Sequence, residues 1–489
     1  MILPPKNTNP HRRKRRGSSP KSSANSSPNP SARPDAKRPK PPTHPWPRRH
    51  LSFDSLVNDI RTRAERLPDA RGRQCTYAVA DAVMSAFAMF SLKDPSLLAF
   101  EERRNDYNMK SLYLVNEVPS DTWSRELLDP LQPDLLRPMF NDIFRHLQRG
   151  KALQPYVFHE GHYLLSIDGT EYFSSKSVHC PQCLRRKNKK SGEVTYYHQM
   201  LGAVLVHPDQ KEVVPFAPEP IVKQDGDNKN DCERNASKRL LQKIRQEHPH
   251  LPLMIVEDAL ASNAPHIRLL QELNMRFLLG VKPDDHEHLF KAVADAYEDQ
   301  RVTTITWYDE KRPDVFCKLS FIHDLPLNKS NPDLRVNFLQ YSEYGSDNRR
   351  QKHFTWVTDV TITEENAFHL VRGGRARWKV ENETFNTLKN QGYHYEHNYG
   401  HGKENLSVVF AMLMMLAFLV DQTQQLCCPL FQAVYKKVGS KRALWEQFRS
   451  HFHHFNFQSM LHLHEVMLYD LARNLPPPPR SPASFARIC

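Results

Sequence analysis

Two acidic residues lie at the ends of apolar runs that read as β-strands. Asp168 follows the run Tyr163 to Ile167 and precedes Gly169, and Asp258 comes just after the run Leu253 to Val256. A strand that ends in an acid brings a carboxylate to the rim of a sheet, where a metal ion can bind it. Aspartate before glycine is also an ordinary start of a turn, so the Asp168 stretch alone leaves both interpretations open. If the two strands are neighbours, their carboxylates converge and repel each other unless a cation lies between them, which favours a divalent metal site.

A third acid should come from a helix that packs against the same edge of the sheet. The segment from Arg375 to Lys389 is typical of such a helix. Arg377 and Glu381 are four residues apart and share one face, whereas three apolar residues can face the core: Trp378, Phe385 and Leu388. The pattern therefore predicts a cation and an acid together at the rim of the sheet.

Glu383 is the rival for this third acid. It lies about 200° from Glu381 around a helix, so only one of the two can face the site. The four-residue spacing to Arg377 favours Glu381.

The elements around these residues predict an α/β fold. Strands are expected over Tyr163 to Ile167, Tyr196 to Val206, Glu212 to Phe216, Leu253 to Val256 and Arg276 to Val281, with helices over Asp231 to Glu247 and Asn263 to Leu273. Four further strand-like runs between residues 301 and 361 predict a β-rich insertion. Residues 51 to 150 are helical in pattern, and Leu406 to Val420 reads as a buried helix too short to span a bilayer.

The positive charge of the chain is concentrated at its beginning. Of a formal net charge of +13, residues 1 to 50 contribute 13 − 1 = +12, together with twelve prolines and seven serines. Such a composition predicts disorder, and the run His11 to Arg16 would either contact phosphates without reading sequence or remain a solvated tail.

The segment lacks the apolar stretch of a secretory signal, and the eight cysteines form no dense framework, so we expect a cytosolic protein without disulfides.

Three features in this order resemble the DDE transposases of bacterial insertion sequences. They are Asp168-Gly169-Thr170, Asp258 after its strand, and the run from Arg377 to Glu381, Arg-Trp-Lys-Val-Glu. The similar group is the one whose last acid lies in a tyrosine, arginine, glutamate, lysine signature. The resemblance spans roughly residues 80 to 425. It implies an RNase H-like mixed sheet with flanking helices, interrupted by the β-rich insertion and preceded by the helical module.

Residue by residue, the resemblance assigns Asp168, Asp258 and Glu381 to the metal-binding triad and Arg377 to the signature arginine. The signature is incomplete, because Gly374 stands at the tyrosine position. The expected lysine position holds Leu388, and Lys389, one residue later, is the candidate for DNA contact.

The resemblance also implies a function. Two Mg²⁺ or Mn²⁺ ions would support cleavage at the ends of a DNA element and strand transfer into target DNA, with Asp168 bridging the ions and Arg377 holding a phosphate. It implies double-stranded DNA with terminal inverted repeats as partner, a homodimer on that DNA, no membrane association, and a place in the bacterial cytosol at the nucleoid. The alternatives are an RNase H-like nuclease without strand transfer and a non-catalytic DNA-binding relative.

A cysteine pair and a basic run follow the first acid. Cys180 and Cys183 have the spacing of a zinc knuckle, which His198 or Cys232 could complete, but a lone pair is also expected of reduced thiols on a loop. The next residues form a basic loop, for which phosphate contact and a solvated hairpin tip are the two interpretations: Arg185, Arg186 and Lys187. His394, His397 and His401 lie in a glycine-containing stretch that we interpret as a DNA-end contact or as packing.

The expected organisation has seven parts. In chain order they are a disordered basic tail (1–50), a helical N-terminal DNA-binding module (51–155), the first part of the catalytic core (156–300), the β-rich insertion (301–362), the second part of the core (363–425), C-terminal helices (426–475) and a disordered proline-rich tail (476–489).

Overall fold

A computed structural model of the chain describes residues 48–69, 71, 76–222 and 233–471. The predictions for residues 1–47, for Cys232 and for the tail 476–489 lie outside these residues. The described residues share one hydrophobic core, to which both the helices and the strands contribute.

The strands form one mixed sheet of twelve. They are β1 (Val157–His159), β2 (His162–Ser175), β3 (Leu184–Lys187), β4 (Val194–Val206), β5 (Val214–Pro215), β6 (Glu219–Ile221), β7 (Leu253–Glu257), β8 (Arg276–Gly280), β9 (Thr303–Asp309), β10 (Arg312–Asn328), β11 (Asn331–Tyr344) and β12 (Arg350–Thr358). The main path runs β3-β4-β2-β7-β8-β12-β11-β10-β9, with β1 on β2 and with β5 and β6 on β4. The fold is therefore mixed α/β, as predicted.

The centre of the sheet places the two predicted acid-bearing strands side by side. Strand β2 pairs in parallel with β7, and Ser166 lies opposite Val256. Asp168 and Asp258 each follow this pair by two residues, so they reach the same level of the sheet. Strand β4 is antiparallel to β2 on the other side, and β8 continues the parallel run beyond β7.

Asp168 does not end its strand, which corrects the prediction that the strand stops at this carboxylate. Strand β2 continues to Ser175 because β4 pairs with it along its length, from Leu164 to Ser175. The glycine instead allows the Glu233 side chain to approach the backbone of β2 closely. A Cβ at Gly169 would lie 2.3 Å from Oε1 of Glu233, so a side chain there would displace that carboxylate.

The β-rich insertion is an antiparallel meander, β9 to β12, that joins the same sheet. Strand β12 pairs with β8, with Trp356 opposite Gly280. The insertion therefore extends the central sheet and covers an edge that β8 would otherwise present.

Fifteen α-helices are described. They are α1 (Phe53–Ala64), α2 (Val79–Leu92), α3 (Leu97–Glu101), α4 (Tyr107–Tyr113), α5 (Asp121–Leu128), α6 (Arg137–Arg149), α7 (Glu233–Glu247), α8 (Ala264–Glu272), α9 (Glu287–Glu298), α10 (Glu364–Arg375), α11 (Asn386–Asn390), α12 (Leu406–Cys427), α13 (Pro429–Val438), α14 (Lys441–His454) and α15 (Met460–Tyr469). The predicted helix start at Asn263 matches its cap, because the Asn263 side chain accepts a hydrogen bond from the His266 amide. Helix α9 was not predicted.

Helices α2 and α12 pack against each other at the centre of the helical part. Every residue of α2 is buried, and α12 is buried from Leu406 to Gln424. At 22 residues α12 is longer than the predicted run, which corrects the prediction that it is too short to span a bilayer. Within the described ranges, α12 alone has the length and apolar composition that a membrane span needs, and the stretch that meets this test is entirely enclosed by protein.

A charged pair is enclosed in this apolar region. Nζ of Lys93 lies 2.5 Å from Oδ2 of Asp421, and the Lys93 side chain is fully buried. Tyr393 donates a hydrogen bond of 2.5 Å to the same carboxylate, and the ammonium lies 3.8 Å from the centre of the Trp445 ring. The pair connects the end of α2 with α12 and with the segment after α11.

Candidate active site

Asp168 lies at the centre of the predicted site and contacts two of its predicted members. Nη1 of Arg377 donates to Oδ2 of Asp168 at 2.9 Å and to Oε1 of Glu381 at 3.0 Å. Ser166, two residues before Asp168 on β2, donates to the backbone carbonyl of Arg377 at 3.0 Å. Strand and helical segment are thus joined directly at the acids, and the arginine occupies the position of a cation between two carboxylates.

Asp258 and Asp168 line one open cavity of about 620 Å³. Asp258 caps the short turn after β7 by accepting a hydrogen bond from the Leu260 amide at 3.0 Å. Glu381 is not among the residues that line this cavity. Asp168 therefore lines the cavity together with Asp258 and is also joined to Glu381 through Arg377.

Glu233, at the start of α7, adds a carboxylate that sequence reasoning did not single out. It lines the same cavity and accepts a hydrogen bond of 2.5 Å from Gln199 on β4. Burial raises the pKa of Glu233, the Gln199 hydrogen bond opposes this, and the charges of Asp258 and Glu257 add to it. Several acids thus share one partly enclosed space, which disfavours their ionisation without a cation.

The wall of the cavity contains a buried ion pair. Nε2 of His266 lies 2.6 Å from Oε2 of Glu257, and both side chains are almost fully buried. Burial alone would lower the pKa of His266, but the Glu257 carboxylate outweighs it and the pKa is raised. Two basic residues, Arg234 and Lys238, also line the cavity beside these acids.

The helical segment that carries Glu381 is irregular at the acid itself. A 3₁₀ turn, Ala376–Trp378, precedes a π-helical turn, Val380–Phe385, and only then does α11 begin. π-Helical turns insert one residue into a helix and occur often at functional sites. Glu381 lies within the π-helical turn, and Lys389 lies after it in α11.

The two rival glutamates face different surroundings. Glu381 contacts Arg377, as described above. Glu383 lies close enough to Lys441 that its charge partly offsets the lowering of the Lys441 pKa by burial. Lys389 forms an ion pair of 2.9 Å with Glu396, and its side chain remains partly exposed.

The glycine at the signature tyrosine position has a packing reason. Gly374 lies on α10 against the indole of Trp356 on β12, and a Cβ there would lie 2.5 Å from ring atoms. A tyrosine at residue 374 would overlap this ring. The packing of β12 on α10 therefore leaves no room for a side chain at residue 374.

The predicted basic loop is partly an edge strand. Arg185, Arg186 and Lys187 belong to β3 and are exposed. The guanidinium of Arg185 lies 5.6 Å from the Tyr196 ring centre, and that of Arg186 lies 5.0 Å from the Tyr197 ring centre.

The cysteine pair meets two histidines. Cys180, Cys183, His198 and His401 each offer one ligand atom, and these atoms lie within 4.8 Å of one another. His198 was a predicted candidate. His401 was not assigned to this cluster, because its connection with Cys183 spans 218 residues of chain and no local spacing signals it.

Comparison with protein-family models finds none that matches this chain, and no curated protein matches it significantly.

Proposed function

We propose that this chain is a DDE transposase, which cleaves DNA at the ends of a mobile element and joins them to target DNA in a metal-dependent reaction. One observation carries the proposal: Asp168 and Asp258 lie at the same level of two adjacent parallel strands, and Arg377 joins Asp168 to Glu381. Three acids remote in sequence are thereby brought to the level at which β7 ends, beside the middle of β2.

The order of the central strands supports an RNase H-like core. Strand β2 is central, β4 and then β6 follow on one side in antiparallel pairing, and β7 and β8 follow on the other side in parallel pairing. Helix α7 lies in the connection between β6 and β7, and α8 connects β7 with β8. The meander is inserted after this core and before the helical segment that carries Glu381.

The donor set fits a hard divalent cation. Asp168, Asp258 and Glu381 supply only carboxylate oxygens, the ligands that Mg²⁺ and Mn²⁺ prefer. When bound, such ions would activate a water molecule or a DNA 3′ hydroxyl and stabilise the leaving oxygen. Glu233 is fixed by Gln199 at the cavity wall and adds negative charge to the same space.

Arg377 has two roles in this proposal. Without metal, its guanidinium neutralises Asp168 and Glu381, and its side chain is only 17% exposed. With a divalent ion held by the carboxylates, the guanidinium would be free to bind a DNA phosphate, for which its geometry is well suited.

Basic residues on both sides of the acids suit a DNA backbone. Arg234 and Lys238 line the cavity, and Arg185, Arg186 and Lys187 lie on β3, which pairs with the strand next to β2. We propose double-stranded DNA as the partner, bound by a homodimer that holds two element ends, in the bacterial cytosol.

The direct test uses the full chain and a DNA duplex that carries the ends flanking its gene. With Mg²⁺ or Mn²⁺ we expect cleavage at the element end and joining of that end to a plasmid, with Ca²⁺ or a chelator as the inactive control. Cleavage without joined product would favour the nuclease alternative. DNA binding without cleavage in either metal would contradict catalysis and favour the binding-protein alternative.

The acidic centre also predicts a pH dependence of stability in metal-free protein. Burial raises the pKa of Asp168 to about 7, with the Arg377 charge opposing this and Glu381 adding to it. Between roughly pH 4, where an unfolded aspartate titrates, and pH 7, the folded chain holds a proton that the unfolded chain has lost. The contribution of Asp168 to stability therefore falls as the pH rises through this window.

The measurement is the melting temperature of wild type and of Asp168→Asn from about pH 5 to about pH 8, without divalent metal. The asparagine cannot ionise, so wild type should lose stability relative to the variant as the pH rises, and Mg²⁺ should recover that loss at high pH. A difference that stays constant with pH would show that Asp168 is ionised throughout.

A further inference from the structure

Three separate segments of the chain converge on a buried group of sulfur and nitrogen atoms. Cys180 and Cys183 lie between β2 and β3, His198 lies on β4, and His401 lies between α11 and α12. Cys180, Cys183 and His198 are almost fully buried, and His401 is partly buried. The two sulfurs are 3.7 Å apart, far beyond the roughly 2.05 Å of a disulfide.

The spacing of the four donors matches a tetrahedral ion site. With Zn–S bonds of about 2.3 Å and Zn–N bonds of about 2.0 Å, the edges of the tetrahedron are about 3.3–3.8 Å long. Nε2 of His198 lies 3.2 Å from the Cys180 sulfur and 3.3 Å from the Cys183 sulfur. Nδ1 of His401 lies 3.9 Å from the Cys183 sulfur. The two sulfurs and the His198 nitrogen have the spacing of three tetrahedral corners, and the His401 nitrogen lies close enough to supply the fourth.

A second observation concerns how His401 is held. Its Nε2 is buried and has no hydrogen-bond partner among the described residues. The imidazole packs edge-on against the Phe173 ring, with centroids 4.0 Å apart. The ring is therefore oriented by this aromatic packing and by the contact of its Nδ1 with the Cys183 sulfur.

The backbone around His401 is shaped to present it. Gly400 and Gly402 flank the histidine with φ values of +137° and +63°, which side-chain-bearing residues rarely adopt. At Gly402 a Cβ would also lie 2.1 Å from the Asp129 carboxylate, whose oxygens accept the amides of residues 403–406. Asp129 and the two glycines fix a tight bend immediately before α12.

We propose that Cys180, Cys183, His198 and His401 bind one structural zinc ion. Two thiolates and two imidazoles form a closed ligand set that favours zinc over Mg²⁺ and leaves no open position for catalysis. The ion ties the segment that follows the Glu381 helix to β4 and to the loop after β2, the strand that carries Asp168. It thereby holds together the two parts of the chain that supply the acids, which the long insertion separates in sequence.

The test measures metal, and it does not depend on DNA cleavage. Full-length protein should contain about one zinc ion per chain, and the cobalt-substituted protein should show the visible spectrum of a tetrahedral site with thiolate ligands. Cys180→Ser and His401→Ala should each weaken zinc binding by more than about 100-fold, because changes outside the ligand shell alone cost about 10- to 100-fold. His401→Cys should restore zinc and change the cobalt spectrum to that of a site with three thiolates.

Cys427→Ser is the matched control, since Cys427 is a partly buried thiol outside the cluster. This variant should keep its zinc. Wild-type protein without zinc, whose melting temperature does not respond to added zinc, would overturn the proposal. Loss of zinc in Cys232→Ser but not in His401→Ala would overturn the ligand set in favour of the other cysteine.

Discussion

Replacing Asp168 with asparagine is expected to lower the rate of DNA end cleavage by about 10³-fold or more. Among the described residues, Asp168 is the one acid that contacts the Arg377–Glu381 pair and also lines the cavity with Asp258. Loss of a metal ligand removes several kcal/mol of transition-state stabilisation, and about 4 kcal/mol corresponds to three orders of magnitude. The measurement is single-turnover cleavage with protein in excess, together with DNA binding and melting temperature to show that the variant is folded.

Two glutamates on the same helical segment provide a matched comparison. Glu381→Gln should be as inactive as Asp168→Asn, because residues that act as one unit show similar single losses. Glu383→Gln has the same chemistry two residues away, on the side towards Lys441, and should retain cleavage. If Glu383→Gln abolished cleavage while Glu381→Gln did not, the third acid would be misassigned although the fold would stand.

The second large effect concerns stability. Lys93→Met should lower the free energy of unfolding by about 3–5 kcal/mol, since it leaves the buried Asp421 carboxylate without its cation. Of the described residues, Tyr393 would then remain as the strong donor to that carboxylate. Urea unfolding of wild type and variant, followed by circular dichroism, gives the difference.

The double variant Lys93→Met/Asp421→Leu separates a lost ion pair from a simple packing defect. Removing both charges leaves no unpaired ion, so this variant should be more stable than Lys93→Met alone. A single variant within about 1 kcal/mol of wild type would mean that the carboxylate is already neutral in the folded protein.

Much of the secondary structure could be predicted from local patterns. The buried runs of β4 and β7 and the apolar spacing of α2 and α8 are properties of contiguous residues. The path of β2 through Asp168 was not predictable in the same way, because it depends on its pairing with β4. Helix α9 was not predicted, because its segment is rich in charged residues and lies between strand-like runs.

The same distinction between local pattern and tertiary packing applies to the residues of the candidate sites. The acids at β2 and β7 carry a local signal, the end of a buried run or a following glycine. Glu233 carries none, since an acid in the first turn of a helix is commonplace. The contact of His401 with Cys183 and the overlap of Gly374 with Trp356 are consequences of tertiary packing, which spacing in a single sequence does not encode.

The two outer edges of the sheet bear on self-association. Without the meander, β8 would present unpaired backbone next to the acids, and a strand from another molecule could add there. The meander moves that edge four strands further out, to the seven-residue strand β9. The opposite edge is broken into the short strands β3, β5 and β6, and β3 carries three consecutive cations. Like charge disfavours pairing with a copy of itself, so the residues proposed to bind DNA would also protect the chain from aggregating through this edge.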